Sequence, residues 1–309
     1  KSEAVVEAQN EALCRAALEA ARLERSDESL RSNELQQIVR QRGWPKRFRP
    51  LLWLKFSGAQ SRMNGKQGYY SMLIKRKCPL ECGPRQEIER DLSRTLPGMR
   101  GPQGEEDFFS TPPGQAALRN VLIAYATHNP TVGYCQSMNF LAALLLLQLQ
   151  DEEAAFWVLA SIVEDKLDQY YHRSLSGLRI DQAVLEEYVK EELPRVHAQL
   201  QCHGFDLSFV STNWLLCLFI NSLPWDCVFH VVDILLYDGS EVLLRASLAV
   251  LHLMAPRILA ARSQEELFEV LKPKGPLTLD GRGAPIDHMR LIEATFTKVA
   301  PLKDMAARR

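Results

Sequence analysis

No phosphate-binding loop of the form G-x-x-x-x-G-K-[ST] occurs in this chain of 309 residues, so it lacks that means of holding a nucleotide of its own. The longest uninterrupted apolar run, Phe140 to Leu147, falls well short of the roughly 20 residues a membrane-spanning helix needs. An excess of charge is missing too. Lys and Arg number 37 against 38 Asp and Glu, a formal net charge of -1, which gives no electrostatic reason to expect nucleic acid as partner. No period-2 alternation bounded by hairpin turns marks a strand, and no fixed-period repeat marks a solenoid. Residues 1–31 are charged throughout and do not read as a secretory leader. The chain opens on Lys1 rather than Met, as a segment of a longer protein would.

The cysteines are Cys14, Cys78, Cys82, Cys135, Cys202, Cys217 and Cys227. An odd number at irregular spacing, with Cys217 and Cys227 inside apolar runs, fits free thiols in a reducing, cytoplasmic compartment. Cys78 and Cys82 have no second Cys or His pair at zinc spacing, so no metal site is expected. Cys135 follows His128 by seven residues, the weakest form of a Cys–His nucleophile pattern.

What is present is helical periodicity. Residues 3–25 carry no Pro or Gly and place Val6, Leu13, Ala17 and Ala20 at helical spacing. Ser32 or Asn33 is a candidate cap for a helix at 34–42. Gly43-Trp44-Pro45 reads as a turn, residues 84–95 as a helix, and the Pro- and Gly-rich stretch 97–113 as a loop. The Phe108-Phe109 pair in that loop either tucks into a core or contributes to a partner groove. Leu118, Val121, Leu122 and Tyr125 form an apolar stripe ending before Asn129-Pro130. Helices follow from near Tyr134 to Gln150 and from Asp151 to Val163. Others are expected at about 180–201, 207–222, 226–237, 240–254, 263–271 and 287–299. Several look apolar on most faces, which calls for an all-α, multi-layered helical array.

Two segments suggest chemistry. In Ile88-Glu89-Arg90-Asp91-Leu92-Ser93-Arg94-Thr95-Leu96-Pro97, Asp91 and Arg94 are neighbours on one helix face, and Pro97 ends the helix just beyond. In Gly133-Tyr134-Cys135-Gln136-Ser137-Met138-Asn139, Gln136 sits at a loop–helix junction. Gln is a poor acid or base, but it donates and accepts hydrogen bonds at once, which suits holding a water. Phosphoryl transfer needs an aligned water and positive charge beside the oxygens where negative charge builds. Taken alone, a helix-end Arg beside an Asp is usually a solvated ion pair, and a first-turn Gln is blander still.

Together the segments resemble the signature of the TBC family of Rab GTPase-activating proteins, I-x-x-D-x-x-R paired with Y-x-Q. Ile88, Asp91 and Arg94 match the first; Tyr134 and Gln136, with Met138 and Asn139 following, match the second. Arg49 and Trp53, Arg119 and Tyr125, Asn213-Trp214 through Leu223-Pro224, and Asp233 with Gly239 fit further family positions, over about residues 40–260. The resemblance implies a two-lobed all-α domain at 34–309, with lobes at about 34–165 and 166–309, after a helical extension at 1–33. It implies that the protein activates a GTPase rather than being an enzyme itself: Arg94 as arginine finger, Gln136 as glutamine finger, Asp91 orienting Arg94, and Ile88, Tyr134, Arg119 and Asn139 in support. The partner implied is a GTP-bound Rab-type GTPase in vesicle trafficking, bringing its own GTP and Mg²⁺, so that this chain needs no cofactor. Leu96, Ser137 and Val232 depart from the family pattern, standing where an aromatic, Gly and Trp are usual.

Other readings are a TBC-like scaffold that binds without accelerating hydrolysis, and a helical adaptor unconnected with GTPases. Lys46, Arg47 and Arg49, with Lys75, Arg76 and Lys77, are either solvated surface or a basic face toward an acidic membrane or the GTPase; contact with a membrane would be peripheral.

Overall fold

A computed structural model describes residues 3–24, 31–76, 83–101, 104–272, 275–279, 284–299, 302 and 305–309. Among the described residues the protein is all-α, its one extended feature being an isolated bridge between Thr278 and Pro285. Cys78, Cys82 and Lys77 lie outside the described residues.

The chain divides into two compact units. One is continuous, Arg49–Ser176; the other joins Lys1–Phe48 to Gly177–Arg309. The division therefore falls elsewhere than lobes at 34–165 and 166–309 would put it. Long-range bonds explain why the N-terminal residues join the C-terminal ones. The Trp44 N–H donates to Asp233 Oδ2 at 2.8 Å, and the His230 ring Nε2 meets the Val39 carbonyl at 2.7 Å. Gly43 permits this approach: it sits at φ +73°, and a Cβ there would lie 2.8 Å from Asp233 Oδ2. The Glu3–Glu24 helix belongs to the same unit and buries Cys14, whose thiol is pushed up to about 12 by burial, reinforced by Glu11 and Asp233.

In that interrupted unit the expected helices form with two informative differences. The 180–201 stretch is two helices, Ser176–Glu192 and Pro194–Cys202, because Pro194 lacks the N–H to continue the first and is suited to begin the second. The helix expected to 222 ends at Leu216; Leu218 and Phe219 have φ of 48° and 62°, left-handed backbone that stops a right-handed helix while burying both side chains. Glu241–Ala260 is long and apolar enough to span a membrane by length and composition, although Arg245 interrupts its apolar run; 61% of its apolar window is buried inside the protein. Val232 is buried in Trp225–Asp238. Cys217 and Cys227 are buried, and none of the described cysteines is in a disulfide.

The continuous unit is built on helices whose starts are written in the sequence. Thr111 caps Pro112–His128, accepting from the Gly114 N–H, with Pro112 in the first turn. Asp151 caps Glu152–Ser161 by accepting from the Ala154 N–H at 2.7 Å. Glu152–Ser161 buries every residue from Ala154 to Ser161, and Met138–Leu149 buries eight of its twelve residues. These are the helices apolar on most faces, and they form the centre of the unit. Phe109 is buried and Phe108 half-buried, so the loop aromatics pack inward.

Candidate functional site

Gly83–Leu92 and Met138–Leu149 carry the two singled-out segments, and both lie in the continuous unit. Ile88 and Leu92 are buried and anchor the first helix. That helix ends at Leu92, two residues before Arg94 rather than beyond it. The Arg94 and Thr95 N–H groups donate back to Asp91 and Leu92 carbonyls in a tighter turn, and Leu96 then enters the left-handed region at φ 46°. Arg94 stays beside Asp91 across this turn.

Asp91 joins the segments. Its Oδ1 accepts from Arg94 Nε at 2.7 Å and also faces Arg94 Nη2; its Oδ2 accepts from the Tyr134 hydroxyl at 2.5 Å. The carboxylate is 4% exposed and the Arg94 side chain 56%. One buried acid thus orients a cation that reaches solvent, and no other partner for that guanidinium occurs among the described residues. Burial, reinforced by the bond to Asp91, raises the Tyr134 pKa, which keeps its hydroxyl a donor.

A second set of bonds runs parallel. The Thr95 hydroxyl donates to the Asp91 carbonyl at 2.6 Å and accepts from Asn139 Nδ2 at 2.8 Å, while Asn139 Oδ1 accepts from the Ser137 N–H at 3.2 Å. Tyr134 and Asn139 are therefore pinned on either side of Gln136, which is exposed and has no side-chain partner among the described residues. Ser137, the next residue, sits at φ 100°, where glycine is at ease and serine is strained. Arg119 grips Glu89 with two parallel bonds, 2.7 and 3.0 Å, tying Pro112–His128 to Gly83–Leu92.

The turn leading into Gln136 is held at its base. Glu164, in the π-helix Ile162–Lys166, accepts from Asn129 Nδ2 at 3.1 Å and Arg62 Nη1 at 3.0 Å, with His128 Nε2 at 3.4 Å. Asn129 in turn accepts through its carbonyl from the Gly133 N–H at 2.8 Å and through Oδ1 from the Val132 N–H at 3.3 Å. Burial alone would raise the Glu164 pKa, but His128, Asn129 and Arg62 outweigh it and bring it down to about 2.

The sequence signature thus names the two presented groups and Asp91, Tyr134 and Asn139 around them. It leaves out Thr95, Glu89 and the Asn129–Glu164 pair. Thr95 had a faint signal, lying four residues after Asp91; Glu89 had none, because its partner is thirty residues on. The arrangement presents one forked cation and one neutral amide, each fixed by bonds behind it. The Cys–His nucleophile reading finds no support in this geometry. The Cys135 thiol is pushed up to about 11 by burial, with Glu87 adding to it, the opposite of an activated nucleophile. No cluster of three metal-ligating side chains occurs among the described residues. Arg49 is buried, whereas Lys46 and Arg47 in the interrupted unit, and Lys75 and Arg76 in the continuous unit, are exposed.

The Rab-GTPase-TBC domain family model matches residues 46–259. The chain is 38% identical over 244 residues to the mouse TBC1 domain family member 2A, covering 78% of this chain and 26% of that protein. It is 35% identical over 254 residues to the Xenopus laevis growth hormone-regulated TBC protein 1, covering 81% of this chain and 72% of that one. The solved Chlamydomonas flagellar RabGAP TBC domain is similar in fold with a TM-score of 0.74 and 30% identity, over 94% of this chain and 95% of that one.

Proposed function

The chain belongs to the Rab-GTPase-TBC domain family, and on that premise we propose that it accelerates GTP hydrolysis on a GTP-bound Rab-type GTPase. Arg94 and Gln136 are the groups it lends. The observation that supports this reading is the shared carboxylate: Asp91 holds Arg94 with one oxygen and Tyr134 with the other, so the cation and the amide-bearing segment are set by one buried group.

The chemistry follows from what phosphoryl transfer lacks in water. Negative charge spreads over the transferring group, and a planar guanidinium meets two oxygens at once where an ammonium meets them as a point charge. Asp91 occupies the Nε side of Arg94, which turns the remaining donors toward solvent and fixes their direction before the partner arrives. An arginine supplied in trans is worth on the order of 10³–10⁵ in rate. Gln136 aligns the attacking water by donating and accepting together, in place of the GTPase's own Gln. GTP and Mg²⁺ come with the partner; this chain activates an enzyme and supplies no cofactor. Regulation of vesicle trafficking, from the cytoplasmic side of endomembranes, is the cellular role this implies.

The test is GTP turnover by a panel of GTP-loaded Rab proteins with the wild type, Arg94→Ala and Gln136→Ala. Acceleration of at least one Rab by the wild type, lost in both variants, is expected. Binding of a Rab in its GTP form with no acceleration of any would make the chain a scaffold and defeat the proposal.

A further inference from the structure

Residues 35–80 contain eleven Lys and Arg and no Asp or Glu, which leaves 26 basic against 38 acidic residues for the rest of the chain. A near-neutral total therefore hides a basic segment that the two-finger chemistry does not use. Part of it is internal: Arg49 is buried, and Arg62 is held by Glu164 at 3.0 Å and Asp165 at 2.7 Å. Of the others in the continuous unit, Lys66, Lys75 and Arg76 lie in or just beside the short helix Tyr69–Lys75.

That helix turns Tyr70 and Leu73 inward and leaves Met72 and Ile74 outward, 49% and 38% exposed. Lys75 and Arg76 follow Met72 by three and four residues and are therefore its neighbours on the outer face. Both are exposed and make no ion pair among the described residues. Lys66 stands over the rings of Tyr69, at 5.2 Å, and Trp157, at 5.5 Å, and is exposed beside them. The helix packs on Pro112–His128, which contains no acidic residue, and Glu152 is engaged on the inward side by the Tyr70 hydroxyl at 2.7 Å. Met72, Lys75 and Arg76 thus share the outer side of the helix, with Ile74 exposed on its flank, while Asp151, Glu152 and Glu153 lie toward the Tyr70 hydroxyl on the inward side.

We propose that this face, Lys66, Met72, Ile74, Lys75 and Arg76, rests on an anionic membrane surface. Long basic side chains keep their charge at the headgroups while their stems lie along apolar surface, and exposed Met and Ile beside them enter the boundary below the headgroups. An anionic bilayer meets the cations at its headgroups and Met72 and Ile74 just below them at every point of its surface, whereas an acidic protein surface matches both only where it sets an apolar pocket among its carboxylates. Attraction to anionic lipid falls off within a Debye length, so contact is made by side chains at the surface and weakens with salt. The proposal does not depend on the roles of Arg94 and Gln136.

The experiment is co-sedimentation of the chain with vesicles of phosphatidylcholine and phosphatidylserine, against phosphatidylcholine alone. Selective binding to the anionic vesicles is expected, reduced at least about tenfold in a Lys75→Glu/Arg76→Glu variant and several-fold in Met72→Ser/Ile74→Ser. These are surface positions, and Lys75→Gln/Arg76→Gln is a milder second variant should charge reversal disturb folding. Absence of binding by the wild type, equal binding to neutral vesicles, or unchanged binding by the variants would overturn the proposal. So would a loss of stimulated GTP hydrolysis in Lys75→Glu/Arg76→Glu without vesicles, which would assign the face to the GTPase. Vesicle binding and turnover in solution are separate readouts, so the membrane contact and the GTPase-activating role fail independently.

Discussion

Asp91 and Glu164 both hold the segment that carries Gln136, yet Asp91 is 4% exposed and Glu164 23%. Asp91 grips the tip, through Tyr134, and shares itself with Arg94; Glu164 grips the base, through Asn129, and shares itself with His128 and Arg62. At a buried carboxylate each donor has exchanged its water for one acceptor, and losing that acceptor leaves the donor with nothing. At a wetter carboxylate, water takes over. The same functional group thus fixes geometry in one place and trims stability in the other.

Removing Asp91 is expected to have the largest effect. Asp91→Ala leaves the buried Tyr134 hydroxyl without its acceptor, costing about 1–3 kcal/mol of stability, and frees Arg94 to wander, which lowers stimulated turnover on the order of 10²-fold. Urea unfolding and a GTPase assay read the two together; a variant that unfolds normally and stimulates normally would erase the distinction between tip and base.

Thr95→Val keeps the side-chain volume and removes the hydroxyl between Asn139 and the Asp91 carbonyl. A loss of about 1–2 kcal/mol is expected, coupled to Asn139→Ala by at least about 0.5 kcal/mol in a double-mutant cycle. Additive effects would mean that this bond does not link the two segments.

Ser137→Gly tests strain at the tip from the other direction. At φ 100° serine pays a conformational cost that glycine does not, and a gain of about 0.5–1 kcal/mol is expected after allowing for the greater entropy glycine loses on folding. No gain in melting temperature would mean that the surrounding bonds absorb the strain.

The smallest effect on stimulated turnover is expected at the base, where the readout is stability against pH. Glu164 has a folded pKa of about 2 against an ordinary 4.5, so its contribution is fully present above 4.5 and is lost as the pH falls through about 2. Acid-unfolding curves of the wild type and Glu164→Gln should separate above pH 4.5 and converge near pH 2. Curves parallel throughout would show that the carboxylate's charge is not what holds Asn129.

Local features of this fold were open to the sequence. Ser32 caps Asn33–Gln41 and accepts from the Leu35 N–H, as its position before a periodic stretch suggests. The apolar stripes of Pro112–His128 and the all-round apolarity of Met138–Leu149 marked the centre of the continuous unit. What could not be read depends on distant partners. That residues 1–48 join the C-terminal unit follows from Trp44 meeting Asp233 and Val39 meeting His230, some 190 positions away. The end of the helix at Leu92 and the left-handed turn at Leu218 and Phe219 are set by burial that no local pattern encodes. At the site, a signature supplied the presented residues and their nearest supports, while Thr95, Glu89 and Glu164 emerged only where side chains from separate segments meet.

The account rests most heavily on Arg94 acting as a fork held by Asp91. Single-turnover hydrolysis by a GTP-loaded Rab that the wild type stimulates, compared with Arg94→Lys, tests this most directly. Lysine keeps the charge but can neither meet two oxygens in a plane nor keep the Nε bond to Asp91, so stimulation should fall on the order of 10²-fold or more, toward the loss on the order of 10³–10⁵ expected for Arg94→Ala. Stimulation by Arg94→Lys equal to that of the wild type would contradict it.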